Sequence, residues 1–107
     1  MEEKKYRIAF VTQSSRASQK YWPLQTMAEQ VEFITVGLES QQQRTELIAA
    51  AAKIFDAARD IIVPDGSPAT AALAVLMLSR GQPVTLGIWD STLGAYTLLK
   101  IGGSYAL

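Results

Sequence analysis

The run Asp60-Ile61-Ile62-Val63 stops at Pro64-Asp65-Gly66, and Ser67-Pro68 then open an apolar stretch that lasts to Leu78. This junction constrains the fold more than any other part of the chain. The last three residues of that run are apolar throughout, which suits a central parallel strand covered on both faces. Ser67 is a favourable N-cap and Pro68 a favourable first helical residue, so a helix is predicted from there to about Arg80, with Gly81 as its stop. A buried strand running straight into a helix is the core of a βαβ unit.

The rest of the sequence repeats that unit. Tyr6 to Val11 is a β-rich run that stops at the polar cluster Thr12-Gln13-Ser14-Ser15-Arg16. From Ser18 to about Gln30, the residues Tyr21, Leu24, Met27 and Ala28 recur at helical spacing, with Pro23 in a first turn or splitting the segment. Val31 to Val36 is a second strand closed by Gly37. Leu47, Ile48, Ala51, Ile54, Phe55 and Ala58 then form one stripe of a long amphipathic helix. After Pro83, the runs Val84 to Trp89 and Ala95 to Ile101 bracket Asp90-Ser91-Thr92-Leu93-Gly94, which predicts a hairpin. The expected fold is a small Rossmann-like three-layer α/β sandwich, one domain over 1–107, with a mostly parallel sheet and an antiparallel C-terminal edge strand.

Composition narrows the chemistry. Ten basic and ten acidic residues cancel with no block of either sign, so general DNA binding through charge is not expected. With no Cys there is no zinc-thiolate site and no cysteine nucleophile. With no His, the commonest general base and transition-metal ligand are missing too, and no metal site is expected. No GxGxxG follows the first strand and no Walker lysine appears, so no nicotinamide or ATP cofactor is expected. The charged start Met1-Glu2-Glu3-Lys4-Lys5 does not read as a signal peptide, and Ala69 to Leu78 is too short to span a bilayer. A cytoplasmic protein without membrane contact is the expectation.

Ligands of open α/β sheets bind beyond the carboxyl ends of the strands, where helix N-termini point their amides at the site. Two segments meet that description. One is Thr12, Gln13, Ser14, Ser15 and Arg16; the other is Asp65, Gly66 and Ser67, where a glycine allows close backbone approach to a capped helix start. Trp89 closes the fourth strand at the same end of the sheet and is a candidate for stacking on a base. Each residue also has a plain structural role open to it: Asp65 and Ser67 as caps, Trp89 as half-buried core. Lys20 and Arg16 can neutralise phosphate or simply face solvent, and Tyr21-Trp22 can cover such a pocket or merely pack.

The helix Pro68 to Arg80 is apolar nearly all round, so it needs cover on more than one side. Its small residues Ala69, Ala71, Ala72 and Ala74 permit close packing, and a symmetric homodimer through this helix is the economical source of cover. The second helix or the C-terminal tail of the same chain is the alternative. In such a dimer the two Asp65 to Ser67 loops face each other and can share a two-fold symmetric ligand.

The stretch Val63-Pro64-Asp65-Gly66-Ser67-Pro68-Ala69-Thr70-Ala71-Ala72-Leu73-Ala74-Val75-Leu76, with the hairpin from Pro83 to Ile101, resembles the short Rossmann-like accessory proteins of type III CRISPR systems that are related to CARF domains. The N-terminal half is similar in topology, through Thr12 to Ser15 in the loop where such proteins take a ligand. The resemblance implies a homodimer that binds a cyclic oligoadenylate second messenger, with cyclic tetra-adenylate the expected ring, and senses or sequesters it in antiviral signalling. Some relatives cleave the ring, which positioning of a 2′-hydroxyl can achieve with few protein groups. Two other classes stay open: a small nucleotide-processing enzyme, either a ring nuclease or a nucleosidase or deoxyribosyltransferase-like hydrolase using Asp65 or Asp90, and a subunit whose apolar helix docks a different chain.

Overall fold

A computed structural model describes residues 4–14 and 18–102. Strand β1 covers Tyr6–Gln13, and its centre is sealed on both faces: Ala9, Phe10, Val11 and Thr12 are all fully buried. β2 is Ala28–Thr35, β3 Ile61–Val63, β4 Val84–Asp90 and β5 Ala95–Ile101. The sheet runs β2-β1-β3-β4-β5, parallel up to β4 and antiparallel at the β4–β5 edge. Val11 lies beside Phe33 and Val63, and Leu86 beside Ile62 and Leu99. The fold is the Rossmann-like α/β sandwich that the alternation predicts.

Alternating side chains feed two separate cores. Ile8, Phe10, Ile34, Ile62 and Leu86 face helices α2 (Gln41–Ile54) and α3 (Pro68–Ser79), meeting Ile48, Ala51, Ala52, Ala74 and Leu78. Ala9, Val11, Ile61 and Val63 face the other way, onto Tyr21 and Leu24. That second layer is thin. It consists of a 3₁₀ turn at Ser18–Tyr21 and the single-turn helix α1 at Leu24–Met27.

Here the structure corrects the predicted helix from Ser18 to Gln30. Tyr21, Leu24 and Ala28 are buried as a helical stripe would require. Ala28 and Gln30, however, pair with Tyr6 and Ile8, so β2 starts three residues before the expected Val31. Backbone pairing with a buried strand outweighs the weak propensity of a segment already interrupted by Pro23. α2 ends at Ile54 rather than Ala58, because Phe55 turns to extended geometry and the Asp60 carboxylate captures the Asp56 N–H at 2.7 Å. Its start is set by a capping box: the Gln43 N–H donates to Ser40 Oγ, and the Ser40 N–H to Gln43 Oε1. α3 follows expectation. Ser67 caps it, Pro68 opens it, and Arg80 and Gly81 close it in left-handed geometry.

Asp60 is buried at the amino ends of β1 and β3 and accepts a two-pronged contact from Arg7 at 2.9 and 2.6 Å, along with the Ile8 and Asp56 N–H groups. Arg7 also donates to the Ile54 carbonyl at 2.6 Å, so this cluster ties the end of α2 to the sheet. It lies at the end of the sheet opposite the carboxyl ends of the strands and serves the fold. No helix among the described residues is long and apolar enough to cross a membrane.

Candidate functional site

β1 has β2 on one side and β3 on the other, so the chain reverses its direction of travel across the sheet between β1 and β3. Such a switch point opens a crevice at the carboxyl ends of the strands, where the two following loops diverge. Thr12, Gln13 and Ser14 form one lip of it, and Asp65, Gly66 and Ser67 the other.

The lips are fastened from below. The Thr12 hydroxyl donates to the Asp65 carbonyl at 2.7 Å and accepts from the Asp65 N–H at 2.8 Å. Thr35 in turn donates its hydroxyl to the Thr12 carbonyl at 2.8 Å, and the Ser14 N–H reaches the Thr35 carbonyl at 2.9 Å. The Gln13 side chain lies across the opening and accepts from the Ser67 N–H at 3.3 Å. Gly66 is required there for two reasons: its φ is +82°, and a Cβ would stand 2.5 Å from the Gln13 side chain. Ser67 Oγ accepts from the Thr70 N–H at the first turn of α3.

The Asp65 carboxylate is not free. Lys20 Nζ lies 2.8 and 2.7 Å from its two oxygens, the Gly66 N–H donates to Oδ1 at 2.9 Å, and the Tyr21 hydroxyl donates to Oδ2. Burial pushes this carboxyl up, but the bonds from Lys20, Tyr21 and Gly66 outweigh it, and its pKa falls below the ordinary range. Tyr96 reaches over from β5 and donates its hydroxyl to the Lys20 carbonyl at 2.7 Å. Burial, reinforced by Tyr21 and Asp65, keeps that phenol protonated far above the usual tyrosine range. Trp89 meets Tyr96 edge to face, with ring centroids 5.1 Å apart.

Of the predicted site residues, Thr12, Gln13, Ser14, Asp65, Gly66 and Ser67 therefore come together at one crevice. Trp89 joins them through Tyr96 and Lys20, and Ser15 and Arg16 lie outside the described residues. Asp90 does something else: its Oδ1 accepts the Thr92 and Leu93 N–H groups and shapes the β4–β5 turn. Tyr96 is the member that sequence reasoning misses, and the only signal for it is its place opposite Trp89 in the hairpin. Among the described residues no group of three His, Cys, Asp or Glu is placed to hold a metal ion.

Chemically, the crevice offers hydroxyls, amides and a Lys–Asp pair that neutralises itself. Attraction for an anion then falls to the positive end of the α3 dipole and the Ala69 N–H, since the Ser67 N–H bonds Gln13, Pro68 has no N–H and the Thr70 N–H bonds Ser67 Oγ. A scan against protein-family models gives no match, and searches of curated proteins and of solved structures give none.

Proposed function

We propose that the protein binds a cyclic oligoadenylate, cyclic tetra-adenylate in particular, in a site shared by two copies of the chain, and so senses or sequesters this messenger. The observation that carries the reading is the convergence of both predicted loops on the switch-point crevice at the start of α3. The outer face of α3 adds to it: Ala69, Ala72 and Leu76 form an exposed stripe at helical spacing, and Leu76 is 70% exposed. Pairing two copies along that stripe covers it, and a two-fold axis close to the start of α3 brings the two Asp65 to Ser67 loops together. The resemblance of residues 63–101 to type III CRISPR accessory proteins supplies the ligand class.

Binding without turnover is the favoured form. Asp65 has Lys20, Tyr21 and Gly66 as donors to its carboxylate, and Asp90 is engaged in its turn, so neither stands ready to move a proton. Calorimetry with cyclic tri-, tetra- and hexa-adenylate tests the proposal. Saturable heat with the tetra-adenylate, and no linear product after incubation with excess ligand, is the expected result. Absence of binding by all three rings at tens of micromolar protein removes it.

A further inference from the structure

Beside the Asp65 cluster, an open cleft of about 520 Å³ runs between residues 19–26 and the β4–β5 hairpin. Both tryptophans of the chain line it. Trp22 is 64% exposed, an unusual position for so large an apolar ring, and the rigid Pro23 follows it. Trp89 is half-buried across the cleft and is backed by Tyr96, whose hydroxyl is itself fixed to the Lys20 carbonyl. Lys20 lines the cleft while its ammonium holds Asp65, so this cleft and the switch-point crevice share a wall.

We infer that this cleft is a nucleobase subsite, in which a planar ring lies against Trp22 and Trp89. The inference rests on the proposed nucleotide-binding reading and extends it to residues outside both strand-end loops. Two indoles lining a cleft of this size suit a flat π-system, which gains stacking on its faces, better than an aliphatic chain. Gln19 and Thr26 on the same wall can address the edge of a base: the Thr26 hydroxyl donates to the Pro23 carbonyl and keeps its oxygen as an acceptor. Lys20, which lines the cleft and holds Asp65, is the link between a phosphate at the start of α3 and a base in the cleft.

Both tryptophans line the cleft, so intrinsic fluorescence reports on it without a label. Adenosine is expected to quench wild-type emission in a saturable way, and ribose 5-phosphate is not. Trp22→Ala removes an exposed ring and leaves the core intact, and it is expected to weaken cyclic tetra-adenylate binding about 5- to 150-fold. Trp89→Phe keeps a ring against Tyr96 and is expected to weaken it less. Equal affinity of wild type and Trp22→Ala for cyclic tetra-adenylate overturns the subsite and leaves the proposed function standing. Quenching by adenosine that Trp22→Ala abolishes, with no binding of any cyclic oligoadenylate, supports the subsite and overturns the proposed function. Absence of both responses overturns the two together.

Discussion

Thr12→Val and Thr70→Val make the same chemical change at two fully buried positions and are predicted to act with opposite sign. Valine keeps the β-branched shape and nearly the volume of threonine, so neither variant opens a cavity. At position 12 the hydroxyl bridges the Asp65 carbonyl and N–H at 2.7 and 2.8 Å, and valine leaves both without this partner. Two bonds worth about 1 kcal/mol each, at a partly buried site, give an expected loss of about 2 kcal/mol. At position 70 the hydroxyl is buried with no hydrogen-bond partner among the described residues. Its removal deletes a desolvated polar group and is expected to stabilise by about 1 kcal/mol. Urea denaturation of the three proteins reads both, with the midpoint moving and the slope unchanged. In thermal unfolding each kcal/mol corresponds to about 4–8 °C in a domain of this size. A loss below about 0.5 kcal/mol for Thr12→Val, or a matching loss for Thr70→Val, refutes the claim that Thr12 fastens the two lips while Thr70 goes unsatisfied.

Three further outcomes follow from the same structure. Asp65 has a depressed pKa when folded, so its contribution to stability is complete above the ordinary carboxyl value of about 3.9 and drains away as pH falls through the folded value. The stability gap between wild type and Asp65→Asn should therefore shrink below about pH 4, and a gap that stays constant between pH 7 and pH 3 contradicts the assignment. Asp60→Ala leaves Arg7 and two backbone amides without their acceptor and is expected to cost about 3–5 kcal/mol in denaturant titrations; a loss under 1 kcal/mol would mean the cluster does not hold α2 to the sheet. Leu76→Asp puts a charge on the exposed stripe of α3 through which the dimer is proposed, and for that dimer it is expected to halve the mass seen by light scattering without changing the fold by circular dichroism; an unchanged mass moves the interface elsewhere.

The parts of this fold that read from sequence are those whose causes are local. Ser67 and Pro68 set the start of α3 within two residues, and Ile61-Ile62-Val63 is apolar because both its faces are covered. The segment from Ser18 to Gln30 misleads because burial of Tyr21, Leu24 and Ala28 suits a continuous helix as well as two short turns followed by a strand. Pairing of Ala28 with Tyr6 decides between them, and that contact crosses from one strand to another. The site divides along the same line. Loop residues at strand ends are recognisable from topology, which brings Thr12, Gln13, Asp65, Gly66 and Ser67 together as expected. What Asp65 touches is another matter: Lys20 lies 45 residues away in the chain, and Tyr96, which bonds the Lys20 carbonyl, is 76 residues from Lys20. Neither has a local pattern that marks it as a partner. The neutral composition does leave one trace here, since the lysine at the crevice is matched by an aspartate.

The most direct test of the account is native mass spectrometry of the protein with cyclic tetra-adenylate. The predicted species holds two chains and one ring, and it should diminish when Leu76→Asp replaces the wild type. A single chain carrying its own ring, or two chains that never take one up, contradicts a shared site at the start of α3.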